Sequence, residues 1–202
     1  MQREDWDKHY AGKELVWSAR PNRFLVAEAS ALPPGRALDL ACGEGQNAVW
    51  LAEGGWQVTG VDYSQVAIAK GRDRAAREGL EVELVCADLL EYDPPKDTFD
   101  LVIALFLHLS TGERRRVLSK AVAALAPGGT FLLIGHDLLN LTEGVGGPSN
   151  PAVLFTPEDI VGDLPGLEIE KAERVLRDVR DADRAAIDAL VRARRPAEDS
   201  AA

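Results

Sequence analysis

Two glycines and an aspartate, at a spacing that suits nucleoside binding, are the clearest chemical signal in the 202-residue sequence. A short apolar run ends at Leu40, and Gly43 and Gly45 follow it at the start of a predicted helix. Glycine lets the backbone approach a ligand closely, and a helix start directs N–H groups at it. Asp62 ends the next predicted strand, where a carboxylate accepts hydrogen bonds from ribose hydroxyls. These residues predict a site for an adenosine-type ligand.

The same glycine segment leaves the identity of the ligand open. Residues 43–48 also fit the G-x-G-x-x-A fingerprint of dinucleotide binding, so a nicotinamide-dependent oxidoreductase is an alternative. Three acidic residues argue against the nicotinamide-dependent oxidoreductase. Asp39 lies within the first strand, and Asp88 follows the third. Glu44 is a poor neighbour for a pyrophosphate but is acceptable beside a cationic ligand. Little chain then remains for a separate substrate domain.

Histidines supply the candidates for acid–base chemistry. His108 follows the predicted fourth strand, and His136 follows the fifth with Asp137 beside it as a carboxylate that would orient the ring. For both His108 and His136, a purely structural role in a turn or in the core is an equally open interpretation. No histidine pair has ligand spacing and the two cysteines are isolated, so no metal site is predicted.

Alternating strand-like and helix-like segments must position these residues. Strands are predicted at 36–41, 56–61, 81–86, 99–105 and 130–135, and helices at 46–54, 64–78 and 111–126. Ser64 is a predicted N-cap, Gly79 a helix stop, and Ser110 with Glu113 forms a capping box. Such alternation is typical of a parallel sheet covered on both faces.

The second half departs from this alternation. A glycine- and proline-rich loop at 137–157 is predicted to be a lid, and strand-like runs near 167–176 and 184–194 form an antiparallel pair. The predicted fold is a single α/β domain over 1–202. It is doubly wound and Rossmann-like, with a seven-strand, mostly parallel sheet and an antiparallel last strand. An N-terminal arm at 1–30 precedes this core, and a frayed tail at 195–202 follows it.

Charge and hydropathy restrict the partners. The chain has 33 acidic and 23 basic residues, a net charge of −10, which argues against nucleic-acid partners and polybasic membrane attachment. The longest strongly apolar run, residues 101–107, is too short to span a bilayer, and the first residues lack an apolar signal region. We therefore expect a cytoplasmic protein. The basic run Arg114 to Arg116 is predicted to be a solvated helix face.

Five ordered motifs resemble the class I S-adenosylmethionine-dependent methyltransferases. They are Asp39–Gly45, Val61–Ser64, Ala87–Leu89, Phe99–Ala104 and Leu125–Leu133, and the resemblance covers about residues 14–176. Residues 17–24 and 47–52 also resemble the small tellurite-resistance and thiopurine methyltransferase-like group.

The resemblance implies S-adenosylmethionine as the cofactor. It would be bound by Trp17, Arg23, Asp39, Gly43, Gly45, Asn47, Asp62, Tyr63, Ser64, Asp88, Leu89, Ala104 and Leu105. Among these, Asp62 would bind the ribose and Tyr63 would pack on the adenine. Asp88 would accept from the adenine amino group, and Ala104 with Leu105 would lie beside the transferred methyl.

The function implied is in-line methyl transfer to a small-molecule acceptor through sulfur, nitrogen, oxygen or a heavier chalcogen. His108 and His136 would be the catalytic residues where the acceptor must lose a proton. A non-catalytic module that binds S-adenosylmethionine is a further alternative, and the sequence does not determine the oligomeric state.

Overall fold

The computed structural model describes residues 3–12, 14–16 and 19–197. Its helices are α1 (Arg3–Tyr10), α2 (Arg23–Ala29), α3 (Gln46–Glu53), α4 (Gln65–Glu78), α5 (Thr111–Ala124) and α6 (Pro157–Gly162). Its strands are β1 (Arg36–Leu40), β2 (Gln57–Asp62), β3 (Val82–Cys86), β4 (Phe99–Leu105), β5 (Leu125–His136), β6 (Glu168–Arg177) and β7 (Ala186–Arg194). Two short 3-10 helices, Leu138–Leu141 and Pro151–Val153, lie between β5 and α6.

The seven strands form one sheet in the order β3-β2-β1-β4-β5-β7-β6. β1 pairs with β2, and β2 with β3, in parallel register, whereas β7 runs antiparallel to both β5 and β6. The predicted fold class, with its antiparallel last strand, is therefore confirmed.

The chain divides into two compact units. The first comprises the described residues up to Asp93 together with Leu101–Ile103, and the second comprises Pro94–Asp100 and the described residues from Ala104 onward. The prediction of a single domain over the whole chain stays a prediction.

The first unit is built around the parallel strands β1, β2 and β3. Leu38, Val61 and Ile68 have no exposed surface, so these strands and α4 share an apolar core. Ser64 Oγ accepts a hydrogen bond from Ala67 N (3.2 Å), and Gly79, at φ +67°, ends α4. Both ends of this helix are confirmed as predicted, because each depends on a local backbone rule.

In the second unit the capping box of α5 is present, as predicted from Ser110 and Glu113. The helix ends at Ala124 and β5 begins at the next residue, so the predicted helix end at residue 126, before the Pro-Gly-Gly turn, is too late. The prediction that Arg114 to Arg116 form a solvated helix face is wrong for Arg114. This arginine is 2% exposed and donates from Nε and a terminal nitrogen to Asp163 Oδ2 (3.0 and 2.9 Å).

The predicted lid loop is attached to β7 through Asn140. Its Oδ1 accepts from Ile187 N (2.7 Å), and its Nδ2 donates to the carbonyl oxygen of Gly146 (2.8 Å). Arg195, assigned to the predicted tail, exchanges backbone hydrogen bonds with Gly128 and Gly129, while residues 198–202 lie outside the described residues. Among the described residues, no helix has the length and apolarity needed to cross a membrane.

Candidate active site

The glycine loop joins β1 to α3 through three left-handed backbone positions. Ala41, Gly43 and Gly45 have φ values of +62°, +54° and +77°. A Cβ on Gly43 would lie 3.1 Å from Tyr10 Oη, so a side chain would press on this α1 residue. Gly45 instead has ordinary van der Waals room, which leaves its backbone conformation as the reason for glycine there.

Asp62 ties the end of β2 to this loop. Its Oδ2 accepts a hydrogen bond from Gly43 N (2.8 Å), and its Oδ1 accepts one from Ser64 N (2.9 Å). Burial raises the pKa of the Asp62 carboxyl, while these backbone hydrogen bonds oppose the shift. Each carboxylate oxygen can accept a further hydrogen bond, so Asp62 fits the predicted role of binding the ribose hydroxyls.

Asp39 is a buried carboxyl group in the middle of the first unit. It has no exposed surface, and neither of its oxygens has a hydrogen-bond partner among the described residues. Burial, reinforced by the charge of Asp62, raises the pKa of Asp39 well above its ordinary value. A polar group in this situation costs stability unless a ligand or water satisfies it, so Asp39 fits a ligand-binding role.

Tyr63 and Asp88 follow the two strands beyond β1. The Arg3 guanidinium lies over the Tyr63 ring, 5.5 Å from its centroid, and donates to Cys86 Sγ (2.7 Å). Asp88 is half-buried, and its Oδ1 accepts from Leu90 N (2.9 Å), which organises the turn that contains buried Leu89. Their assigned contacts with adenine stay predictions.

The N-terminal arm is attached to the start of α4 by Asp7. Ser64 Oγ donates to Asp7 Oδ1 (2.5 Å), and the backbone N–H of Val66 donates to the same oxygen (3.3 Å). A carboxylate at a helix N-terminus is favourable because the first N–H groups of the helix lack partners within it. Ser64, predicted to bind the cofactor, is thus also the anchor of α1.

A buried ion pair holds the next part of the arm. Glu44 is 1% exposed, and its two oxygens accept from Val16 N (2.9 Å) and Lys70 Nζ (2.9 Å). The sequence predicts that Glu44 is an acceptable neighbour for a cationic ligand, and in the structure the ammonium group of Lys70 lies beside it. Asn47, another predicted cofactor residue, accepts from Asn22 N (2.9 Å) at the start of α2.

The remaining predicted cofactor residues are placed differently. Arg23 is exposed on α2, and its guanidinium lies over the ring of Phe24 (4.7 Å to the centroid). Ala104 and Leu105 end β4 in the second unit, where both are buried. Trp17 lies outside the described residues.

In the second unit the two predicted catalytic histidines are neighbours. The rings of His108 and His136 are stacked, with centroids 5.7 Å apart and an interplanar angle of 23°. Burial, together with the charge that His136 can carry, lowers the pKa of His108 to about 4. His108 is therefore neutral near neutral pH, where it can exchange a hydrogen bond but carries no charge.

The carboxylate that faces His136 is Asp188, from β7. The two are cross-strand partners in the β5–β7 register, and Asp188 Oδ1 lies 3.3 Å from His136 Nδ1. Asp137, predicted as the orienting carboxylate, instead accepts from Leu139 N (2.8 Å) and pairs with Arg174 Nε (3.0 Å). Sequence reasoning missed Asp188 because only the antiparallel pairing brings it to this histidine.

Asp188 itself is held by an arginine. It is fully buried and accepts from Arg177 Nε at Oδ2 (2.6 Å) and from a terminal nitrogen of Arg177 at Oδ1 (3.3 Å). The same guanidinium lies 5.2 Å from the centroid of the Phe106 ring, which in turn contacts His136 (4.9 Å between centroids). Within the described residues, no group of three or more His, Cys, Asp or Glu could hold a metal ion.

Comparison with known proteins identifies the region that contains the glycine loop. The profile of a family described as a methyltransferase domain matches residues 37–129, from β1 to the start of β5. This match covers slightly less than half of the chain, so residues 37–129 are similar to a methyltransferase domain. This agrees with the resemblance predicted from the ordered motifs.

Relatives of known activity match the same part of the chain. A ribosomal RNA small subunit methyltransferase C from Alcanivorax borkumensis is 34% identical over 51% of this chain and 33% of its own length. A demethylmenaquinone methyltransferase from Thermus thermophilus is 33% identical over 61% of this chain and 55% of its own length. The chain thus spans between a third and little more than half of these relatives.

Solved structures extend the likeness to the whole fold. A protein from a study of the conversion of a disulfide bond into a thioacetal group during echinomycin biosynthesis has a TM-score of 0.77. It is 26% identical and covers 98% of this chain and 94% of its own. TehB from Haemophilus influenzae, at 18% identity, has a TM-score of 0.73 and covers 96% of this chain and 66% of its own, which shows the fold alone.

Proposed function

We propose that this protein transfers a methyl group from S-adenosylmethionine to a small-molecule acceptor. The observation that carries the proposal is Asp39, a fully buried carboxyl group whose oxygens have no partner among the described residues, next to the glycine loop. A group of this kind is costly to the free protein and is explained by a ligand with hydrogen-bond donors or positive charge.

The first unit provides the expected binding groups. The glycine loop allows close backbone approach, Asp62 retains acceptor capacity for ribose hydroxyls, and Asp39 serves the cationic methionine part of the cofactor. S-Adenosylmethionine supplies a methyl group already activated by its sulfonium charge. The protein then contributes mainly by holding the acceptor in line with the bond that breaks.

Two observations favour a small molecule over a nucleic acid as the acceptor. The net charge of −10 opposes the binding of a phosphate backbone, although one relative acts on ribosomal RNA. The demethylmenaquinone methyltransferase relative, by contrast, is named for a small molecule. The finer assignment to the tellurite-resistance-like group rests on the resemblance of residues 17–24 and 47–52, and the fold shared with TehB is compatible with it.

The direct test is calorimetry of the full chain with S-adenosylhomocysteine. We expect a dissociation constant in the micromolar range, and absence of binding would overturn the proposal. A thermal-shift comparison with NAD and NADP tests the oxidoreductase alternative, which requires that the nicotinamide cofactor stabilise the protein more. A panel of thiol, amine, hydroxyl and tellurite acceptors then separates a methyltransferase from a module that binds without turnover.

A further inference from the structure

Three side chains of the second unit form a continuous contact from strand to strand. Arg177 of β6 binds Asp188 of β7, and Asp188 faces His136 at the end of β5. Asp188 has no exposed surface, so water does not compete for its oxygens. This arrangement resembles the way that a buried carboxylate orients a catalytic imidazole.

The contact between Asp188 and His136 determines which ring nitrogen carries the proton. Nδ1 of His136 is buried, and the nearest carboxylate oxygen lies 3.3 Å away, a charge contact that is not aligned as a full hydrogen bond. A deprotonated Nδ1 would direct its lone pair at a carboxylate, which is repulsive, whereas a protonated Nδ1 is attracted to it. In the neutral imidazole, therefore, the proton belongs on Nδ1 and the basic lone pair on Nε2.

The loop backbone at Gly147 covers the edge of the His136 ring that contains Nδ1. A Cβ on Gly147 would lie 2.8 Å from Nδ1 and 2.9 Å from Cε1 of His136, so the loop backbone covers the Nδ1 edge closely. The side chain nevertheless keeps 10% of its surface exposed while Nδ1 is buried. His108 is stacked on the ring, and Arg177 binds Asp188 and offsets its charge.

We propose that His136 is the general base for the acceptor and that Asp188 is a positioning residue, which holds the proton on Nδ1 and leaves Nε2 free to act. The proposal rests on the proposed function and narrows its acceptor to a molecule with a hydroxyl or thiol. As the acceptor atom bonds to the methyl carbon, its proton passes to Nε2. The electron pair of the breaking carbon–sulfur bond stays on sulfur, and His136 later releases the proton to water.

The first experiment needs no acceptor. Long-range ¹H–¹⁵N spectra of the full chain report the tautomer of each imidazole, and with three histidines a His136→Gln variant assigns the signals. We expect wild-type His136 to be protonated on Nδ1. An Nε2-protonated ring in the wild type would overturn the proposal whether or not any variant folds.

Asp188→Asn then tests the positioning role. Arg177 Nε should retain the amide oxygen, which places the amide NH₂ beside Nδ1 and moves the histidine proton to Nε2. Asp163→Asn is the matched control, since Asp163 is also a buried carboxylate held by an arginine of this unit. We expect the tautomer of His136 to change in the first variant and not in the second, and an unchanged tautomer in Asp188→Asn would contradict the proposal.

Kinetics on a hydroxyl or thiol acceptor from the panel complete the test. We expect Asp188→Asn and His136→Gln to lower kcat about 100-fold with little change in KM, because general-base catalysis contributes on this order. The remaining rate should rise with pH as the acceptor ionises on its own, whereas the Asp163→Asn control should keep the wild-type profile. Normal turnover by Asp188→Asn would refute the positioning role. Unchanged calorimetric binding of S-adenosylhomocysteine in all three variants separates this outcome from failure of the proposed function.

Discussion

The carboxylate of Asp62 accepts a hydrogen bond from the backbone N–H of Gly43 over 2.8 Å. This bond joins the end of β2 to the glycine loop that follows β1. One side chain therefore stabilises the loop and retains lone pairs for the proposed ligand. Loop geometry and the proposed ribose recognition depend on the same residue, so a substitution should affect both.

Asp62→Ala should weaken the binding of S-adenosylhomocysteine at least about tenfold, since hydrogen bonds to a charged group contribute about 1.5 to 3 kcal/mol. Isothermal calorimetry measures this. Asp73→Ala, which removes an exposed carboxylate from α4 in the same unit, is the control and should bind as the wild type does. Equal affinity in the Asp62 variant would remove this residue from the site.

Asp39→Asn should make the free protein more stable while it loses affinity for the cofactor. The pKa of Asp39 is raised in the folded state, so the folded chain holds its proton more tightly than the unfolded chain. Folding stability therefore falls as pH rises above 3.8, the ordinary value, toward the raised pKa of the folded state. Asparagine removes this ionisation, so we expect the variant to be more stable than the wild type at pH 8.

Urea unfolding of the wild type and Asp39→Asn at pH 5 and pH 8 checks this stability prediction. The difference should favour the variant and grow with pH. Calorimetry with S-adenosylhomocysteine on the same samples should show weaker binding by the variant. A variant that is less stable than the wild type at pH 8, or that binds equally well, would be inconsistent with a ligand-binding role for the buried carboxyl group.

Lys70→Met should destabilise the first unit by about 2 kcal/mol, because it removes the Lys70 charge that pairs with the buried carboxylate of Glu44. Glu78→Gln is the matched control, since it breaks the more exposed Arg74–Glu78 pair and should cost less than about 0.5 kcal/mol. Urea unfolding gives both values. Limited proteolysis should also show faster cleavage near Val16 in Lys70→Met, as Glu44 holds the backbone there.

Stability should also depend on pH through His108. Its pKa is lowered from 6.5 to about 4 in the folded state, so the unfolded chain binds more protons between these values. The stabilisation is complete above about pH 6.5 and is lost progressively as pH falls toward 4. His108→Gln should remove on the order of 2 kcal/mol of this dependence, measured as unfolding free energies at pH 4.5 and 7.5. His9→Gln is the control and should keep the wild-type pH dependence. If His9→Gln removed this dependence and His108→Gln did not, the assignment to His108 would be wrong.

Predictions from the sequence were most accurate where the physical cause is local. The capping residue Ser64, the capping box of Ser110 and the left-handed Gly79 each satisfy a backbone rule within a few residues. Predictions failed where a partner comes from a distant element. Arg114 pairs with Asp163, the residue that follows α6, and nothing in the basic run indicates that partner.

The sequence by itself determined the fold class and the position of the glycine loop. Strand–helix alternation, the two glycines and Asp62 depend on backbone geometry and on spacing along one βαβ unit, which a single sequence displays. Only the tertiary structure decided that Glu44 binds Lys70 and the arm, and that Asp188 rather than Asp137 faces His136. These pairs form across elements far apart in the chain, so their contacts follow from packing and strand register, which spacing does not encode.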